Sequence, residues 1–216
     1  MDFANAFTLD NVTFILKGFY MTLKVAFSSI ILSFVLGSLI GIVRYMKVPV
    51  LSPVFSVIVE LLRNLPLLLI IFFTRFALPE VGIQLGPVYA SIIALTLFEG
   101  AMIAEIVRSG LNSVDKGQIE AARSSGLGYL RTIWHIVLPQ GLRRMVPPLV
   151  SQFISLLKDT SLAVVISLPE LMNQSKIVIG QSYNYAIPVL LFAAVLYFAV
   201  NYALSLIAKR FETKLV

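Results

Sequence analysis

Residues 25–43 read VAFSSIILSFVLGSLIGIV, 19 consecutive positions without a charge. A helix rises ~1.5 Å per residue, so about 20 apolar residues cross the ~30 Å hydrocarbon core of a bilayer. The stretch therefore predicts a membrane span. Outward from it, four more apolar stretches follow, and the expected spans are 20–45, 54–76, 87–106, 146–168 and 186–208. The spacers carry turn chemistry: Val48-Pro49 and Ser52-Pro53, then Pro79, Gly82, Gly86 and Pro87, then the polar run from Asn173 to Asn184. The predicted class is an all-α integral membrane protein with five transmembrane helices, forming a single transmembrane domain over residues 1–216.

Composition agrees. Hydrophobic residues make up 58% of the chain and charged residues only 13%, against about 25% charged in soluble domains. Mean hydropathy is +0.92. These values exclude an ordinary soluble globular domain, and they exclude disorder, which needs low hydrophobicity and high charge. No cysteine is present, so there is no disulfide scaffold, thiolate metal site or cysteine nucleophile. The single histidine, His135, excludes a multi-histidine metal centre and reads as a structural or interfacial residue. Residues 1–16 hold Asp2 and Asp10 and neither Lys nor Arg, so a cleavable signal peptide is not expected.

The net charge of +6 has a topological reading. Of the 17 Lys and Arg residues, Arg108, Lys116, Arg123, Arg131, Arg143 and Arg144 lie in one long connection between the third and fourth spans. Lys209, Arg210 and Lys214 follow the fifth span, and Arg44 and Lys47 lie in the short loop after the first. Segments 74–87 and 169–185 hold one cation each, Arg75 and Lys176. Lys and Arg concentrate in cytoplasmic loops. The long connection and the C-terminus are therefore expected in the cytoplasm and the N-terminus outside. A nucleic-acid partner is not expected.

The coupling loop of the long connection, residues 109–145, reads as two short helices. Asp115 is placed to N-cap the first, with Gln118 three residues on and Glu120 in the early turns, where the helix dipole favours an acid. Gly126 or Gly128 would stop it. Tyr129, Leu130, Ile133, Trp134 and Val137 form an apolar stripe on the second, and Pro139 marks its expected end. Periodicity leaves two readings open: an amphipathic hairpin lying on headgroups, or a docking helix for a soluble partner.

Glu120-Ala121-Ala122, three residues, Gly126, nine residues, Ile136, one residue and Leu138-Pro139 together resemble the EAA motif of the membrane subunits of ABC importers. Flanking residues are similar to the polar amino acid permease branch, which serves glutamine, glutamate, arginine and histidine: Glu60-Leu61-Leu62-Arg63 with Pro66-Leu67-Leu68, Glu105-Ile106-Val107-Arg108, Gly117-Gln118, Pro139-Gln140, and Lys158-Asp159-Thr160-Ser161-Leu162. The resemblance runs from about Gly18 to the C-terminus. Asn64 and Leu65 depart from it, standing where the branch usually has small residues.

The resemblance implies a multi-pass permease in a bacterial cell membrane. It would act with a second permease copy or a homologous permease, two copies of a cytoplasmic ATPase, and an extracytoplasmic binding protein that delivers the amino acid. Glu120, Ala121, Ala122 and Gly126 would form the coupling helix seated in the ATPase. ATP and Mg would be bound by that partner. This chain has no Gly-x4-Gly-Lys-Ser/Thr loop, no metal site and no catalytic residues of its own.

Glu60, Arg63, Glu99, Lys158 and Asp159 lie within the apolar runs. A charge at mid-bilayer costs ~2.5–3.5 kcal/mol on insertion scales, so such residues face a bundle interior or a pathway. Glu60 and Arg63, three apart, are expected to form a structural ion pair. Lys158 and Asp159 are adjacent and point about 100° apart, so each needs a partner elsewhere, and Glu99 is one candidate for Lys158. A zwitterionic amino acid needs a cation for its carboxylate and oxygens for its ammonium. Glu99, Lys158, Asp159 and Thr160 could supply that set as a substrate pathway, or could form a structural polar network. Ser33, Gly37 and Gly41 make a small-residue stripe for close packing within the subunit. Tyr183, Tyr185, Phe192 and Tyr197 fit an interfacial belt with lipid contacts. The alternative function is a stand-alone secondary amino acid carrier or channel using Glu99 or Asp159 for a coupling ion. The short chain and the lack of an evident internal repeat argue against it.

Overall fold

The structure is a computed structural model that describes residues 1–215. Val216, the last residue of the expected domain, and the side chain of the tail cation Lys214 lie outside what it describes. Among the described residues all regular structure is helical. A short helix α1 (Phe3–Ala6) precedes α2 (Leu9–Tyr45), α3 (Leu51–Asn64) and α4 (Leu67–Phe72), which continues through a π turn (Phe73–Ala77) and a 3-10 turn (Leu78–Val81). Next come α5 (Pro87–Asn112), α6 (Lys116–Ser124) and α7 (Tyr129–Thr132), then a π turn (Ile133–Val137) leading into α8 (Leu138–Asp159). A 3-10 segment (Thr160–Ile166), α9 (Leu171–Ile179), a 3-10 turn (Tyr183–Tyr185) and α10 (Ala186–Leu215) complete the chain.

Four of these helical stretches are long and apolar enough to cross a bilayer, and a bent pair brings the number to five if it counts as one span. That pair is the expected second span. Leu51–Asn64 and Leu67–Val81 meet at 105°. The cause is local. Pro66 supplies no N–H, and the residue before a proline is pushed out of the α region. The Asn64 side chain then donates to the Glu60 carbonyl at 2.7 Å, satisfying an acceptor at the end of α3.

Helix ends extend past the expected span limits. The first helix begins at Leu9 rather than 20, and its 37 residues make it ~55 Å long. The polar residues Asp10 and Lys17 lie on it because a helix does not stop where a bilayer does. α5 runs to Asn112, and Tyr129–Ile166 forms one 38-residue helical stretch. The expected connection 109–145 is thus occupied by helix at both ends. Pro139 does not end a helix, contrary to the sequence expectation. It lies within the Tyr129–Ile166 helical stretch, where the π turn before it absorbs the change of register.

The chain forms two compact units. The first comprises Met1–Ile31, Leu65–Thr96 and Ile154–Ser205. Its core joins Ala6, Ile15, Leu171, Val178, Val189 and Ala193, and α2 passes so close to α9 that a Cβ on Gly18 would lie 2.9 Å from the Glu170 carbonyl. Tyr197 turns into this unit, where its hydroxyl donates to Glu170, so it is not a lipid-belt residue. Phe192 likewise packs on the core, edge-on to Phe7. Tyr183 is 93% exposed.

The second unit comprises Leu32–Asn64, Leu97–Phe153 and the chain from Leu206. A Cβ on Gly37 would lie 2.6 Å from the Gly100 carbonyl, and one on Gly41 2.7 Å from the Ala104 carbonyl. The small-residue stripe therefore brings α2 onto α5 inside the subunit, as dispersion-driven helix packing in lipid requires. Ile103, Val107, Leu111, Val114, Val137, Met145 and Leu149 fill the space between α5 and α8.

Candidate functional site

Helix α6 has definite ends. The Asp115 carboxylate accepts the Gln118 N–H at 3.3 Å. At the other end, the Gly126 N–H bonds the Arg123 carbonyl at 3.0 Å and the Leu127 N–H bonds the Ala122 carbonyl at 3.1 Å. Gly126 has φ +86°. This is the paired closure made by a left-handed glycine just past a helix end, and Gly126, not Gly128, makes it. The space around Gly126 is open, so the glycine is needed for its backbone angle, not for room. Of the motif residues, Ala122 is buried, while Glu120, Ala121 and Gly126 face outward. Ile119 packs on the cluster that contains Val114 and Val137. One face of α6 is thus anchored, and the opposite face is free to meet another molecule.

Beyond Gly126, the hollow lined by Gly128, Tyr129, Leu130 and Arg131 has a volume of about 380 Å³. Leu130 and Trp134 are strongly exposed. His135 is exposed too, and its Nδ1 lies 2.9 Å from the Arg131 carbonyl, a local contact consistent with a structural role.

The expected Glu60–Arg63 pair is not the arrangement found. Both residues are exposed, and Arg63 lies 3.9 Å from Glu105 instead. Glu105 also accepts from Arg44 at 2.9 Å and, through both its oxygens, from Arg108. Arg44 is nearly buried and donates its Nε–H to Ser56 at 3.1 Å. A carboxylate with 21% side-chain exposure is a stronger partner for Arg63 than the exposed Glu60, because Coulomb attraction grows as water is removed. One acid therefore ties α2, α3 and α5 together. The i,i+3 spacing of Glu105 and Arg108 was visible in sequence, but Arg44 is 61 residues away.

Glu99 and the Lys158–Thr160 run belong to different units. In the second unit Glu99 is fully buried, and one of its oxygens accepts from Gln152 of α8 at 2.7 Å. In the first unit Lys158 is exposed, Asp159 is half-buried and Thr160 is fully buried, its hydroxyl donating to the Leu157 carbonyl at 2.7 Å. The backbone changes from α to 3-10 between Asp159 and Thr160. A 3-10 stretch inside a span often marks a functional hinge.

Sequence reading missed Glu170. It is fully buried, caps α9 by accepting the Met172 and Asn173 N–H groups at 2.9 and 2.7 Å, and accepts from Tyr197 at 3.2 Å. Thr22 accepts the neighbouring Leu171 N–H at 3.1 Å. The available signal was an acid immediately before the apolar start of a helix. Among the described residues, no three His, Asp or Glu side chains converge as a metal site.

The profile of one family, the binding-protein-dependent transport system inner membrane component, matches residues 12–216. The chain belongs to that family. It is 62% identical over 216 residues to the probable glutamine ABC transporter permease protein GlnP of Bacillus subtilis (strain 168), covering 99% of each chain. A second protein of that organism, the probable glutamine ABC transporter permease protein GlnM, is 38% identical over 95% of each. A crystal structure of an amino acid ABC transporter with histidines contains a chain that superposes with a TM-score of 0.91 at 28% identity, covering 99% of both chains. Members of this family are multi-pass membrane permeases, and these relatives are transport subunits, not enzymes.

Proposed function

We propose that this chain is the membrane subunit of an ATP-driven importer for a polar amino acid, with glutamine the first candidate, in a bacterial inner membrane. The observation that carries the reading is α6: capped at both ends, held on one face by Ile119 and Ala122, and bearing Glu120 and Ala121 on the other. A stand-alone carrier has no use for such a helix. Near-complete alignment with a probable glutamine permease supports the substrate class. The permease works as a pair, of two copies or with a homologous permease. Two ATPase subunits receive α6 and hold ATP and Mg, and an external binding protein delivers the amino acid.

In this reading the cation-rich connection and the C-terminus lie in the cytoplasm and the N-terminus outside. Lys158, Asp159 and Thr160 present a cation, a carboxylate and a hydroxyl where α8 gives way to 3-10 structure. That run can address both ends of a zwitterion. Glu99 contributes polarity deep in the second unit.

The test is energetic. Cells that express the importer should take up labelled glutamine after the proton and sodium gradients are collapsed and should stop when ATP is depleted. Uptake that follows the gradients and ignores ATP would support the carrier instead.

A further inference from the structure

Gln140 makes two hydrogen bonds with one amide nitrogen. Its Nε2 donates to the Gln118 Oε1 on α6 at 2.7 Å and to the Ile136 carbonyl at 3.0 Å. An amide nitrogen carries two hydrogens, so both bonds can exist together. Each has a reason. The π turn Ile133–Val137 disturbs the regular ladder. The Gln140 side chain supplies a donor to the turn, and with its second hydrogen it reaches across to α6. Gln118 lies one turn into α6, three residues after the Asp115 cap and two before Glu120. Ile119 packs on the apolar cluster and Ala122 is buried, and apolar contact resists separation more than sliding.

We propose that Gln140 and Gln118 are positioning residues of coupling: their bond makes α6 and the head of α8 move as one piece. A displacement at the Glu120–Ala121 face then passes into the first turns of α8, which lie ahead of Pro147 and Pro148. This inference rests on the permease reading above. The pair is accessible to water, so it adds little to stability, since net hydrogen-bond contributions are small where water competes. Its effect lies in fixing where α6 sits, and a connected two-state element is what a coupling path needs.

The test uses the whole importer in proteoliposomes, with its ATPase and glutamine-loaded binding protein. The readout is phosphate released per glutamine delivered. Gln140→Leu removes the donor, and no rotation of the Gln118 amide can replace it, so the ratio should rise about two- to tenfold, the scale of one lost hydrogen bond. Melting temperature and ATPase association should not move. Gln118→Glu keeps an acceptor opposite Gln140 and should couple like the wild type. Gln118→Lys combined with Gln140→Glu replaces the hydrogen bond with an ion pair and should bring the ratio back. If the wild type couples and Gln140→Leu couples equally well, the inference is overturned alone. It is also overturned if the double variant fails to recover. A wild-type complex whose uptake does not depend on ATP overturns the permease reading and this inference with it.

Discussion

Asp159 sits at the last α-helical residue of α8, half-buried, beside an exposed Lys158 and a buried Thr160. Asp159→Asn keeps the shape and removes the charge. A charge-assisted hydrogen bond is worth about 1.5–3 kcal/mol, so uptake should fall about tenfold or more while membrane abundance stays level. Immunoblotting of membranes beside the uptake assay separates the two effects, and normal uptake by this variant would remove Asp159 from the pathway. At this scale the sequence showed what local spacing controls. Gly37 and Gly41 stood one turn apart and proved to face α5. Asp115 stood three residues before Gln118 and proved to be the cap. What it did not show is partnership across distance. Arg63 finds Glu105 on another helix, and Tyr197 finds Glu170 27 residues away. Spacing along one helix carries no information about such contacts, so the Glu60–Arg63 expectation failed.

At the scale of elements, α6 is decided by its ends. Gly126 closes it at φ +86°, and Gly128 lies beyond at φ −64°. Gly126→Asp places a side chain in the left-handed region at a cost of ~1–2 kcal/mol and a negative charge near the helix C-terminus, where the dipole disfavours it. We expect it to lose ATPase association or ATP-driven transport. Gly128→Asp, at an ordinary backbone angle, should have much the smaller effect. Pull-down of the ATPase with each variant checks this, and equal behaviour of the two would refute the closure argument. The helix following α6 was misread at Pro139 because a proline inside a helix need not end it: the preceding π turn supplies the slack, and α8 also holds Pro147 and Pro148. The 105° bend at Pro66 shows the opposite outcome, where the proline follows a completed helix and the chain redirects.

For the whole molecule, hydropathy carried most of what was legible. A bilayer restricts spanning chains to helices or closed barrels, so apolar length converts directly into architecture. The limits of the helices were less legible, since α2 and the Tyr129–Ile166 stretch outrun any bilayer. The division into two compact units was not legible either, because α2, α5 and α8 each contribute to both. The central claim is that this chain works as the membrane part of an ATP-driven importer. The most direct measurement is to purify the tagged protein from its native membrane in mild detergent, identify what accompanies it by mass spectrometry, and assay ATP hydrolysis with glutamine-loaded binding protein. The account predicts a co-purifying ATP-binding subunit whose hydrolysis rises with the loaded protein. A complex shown to stay intact during extraction, yet holding no ATPase, would contradict it.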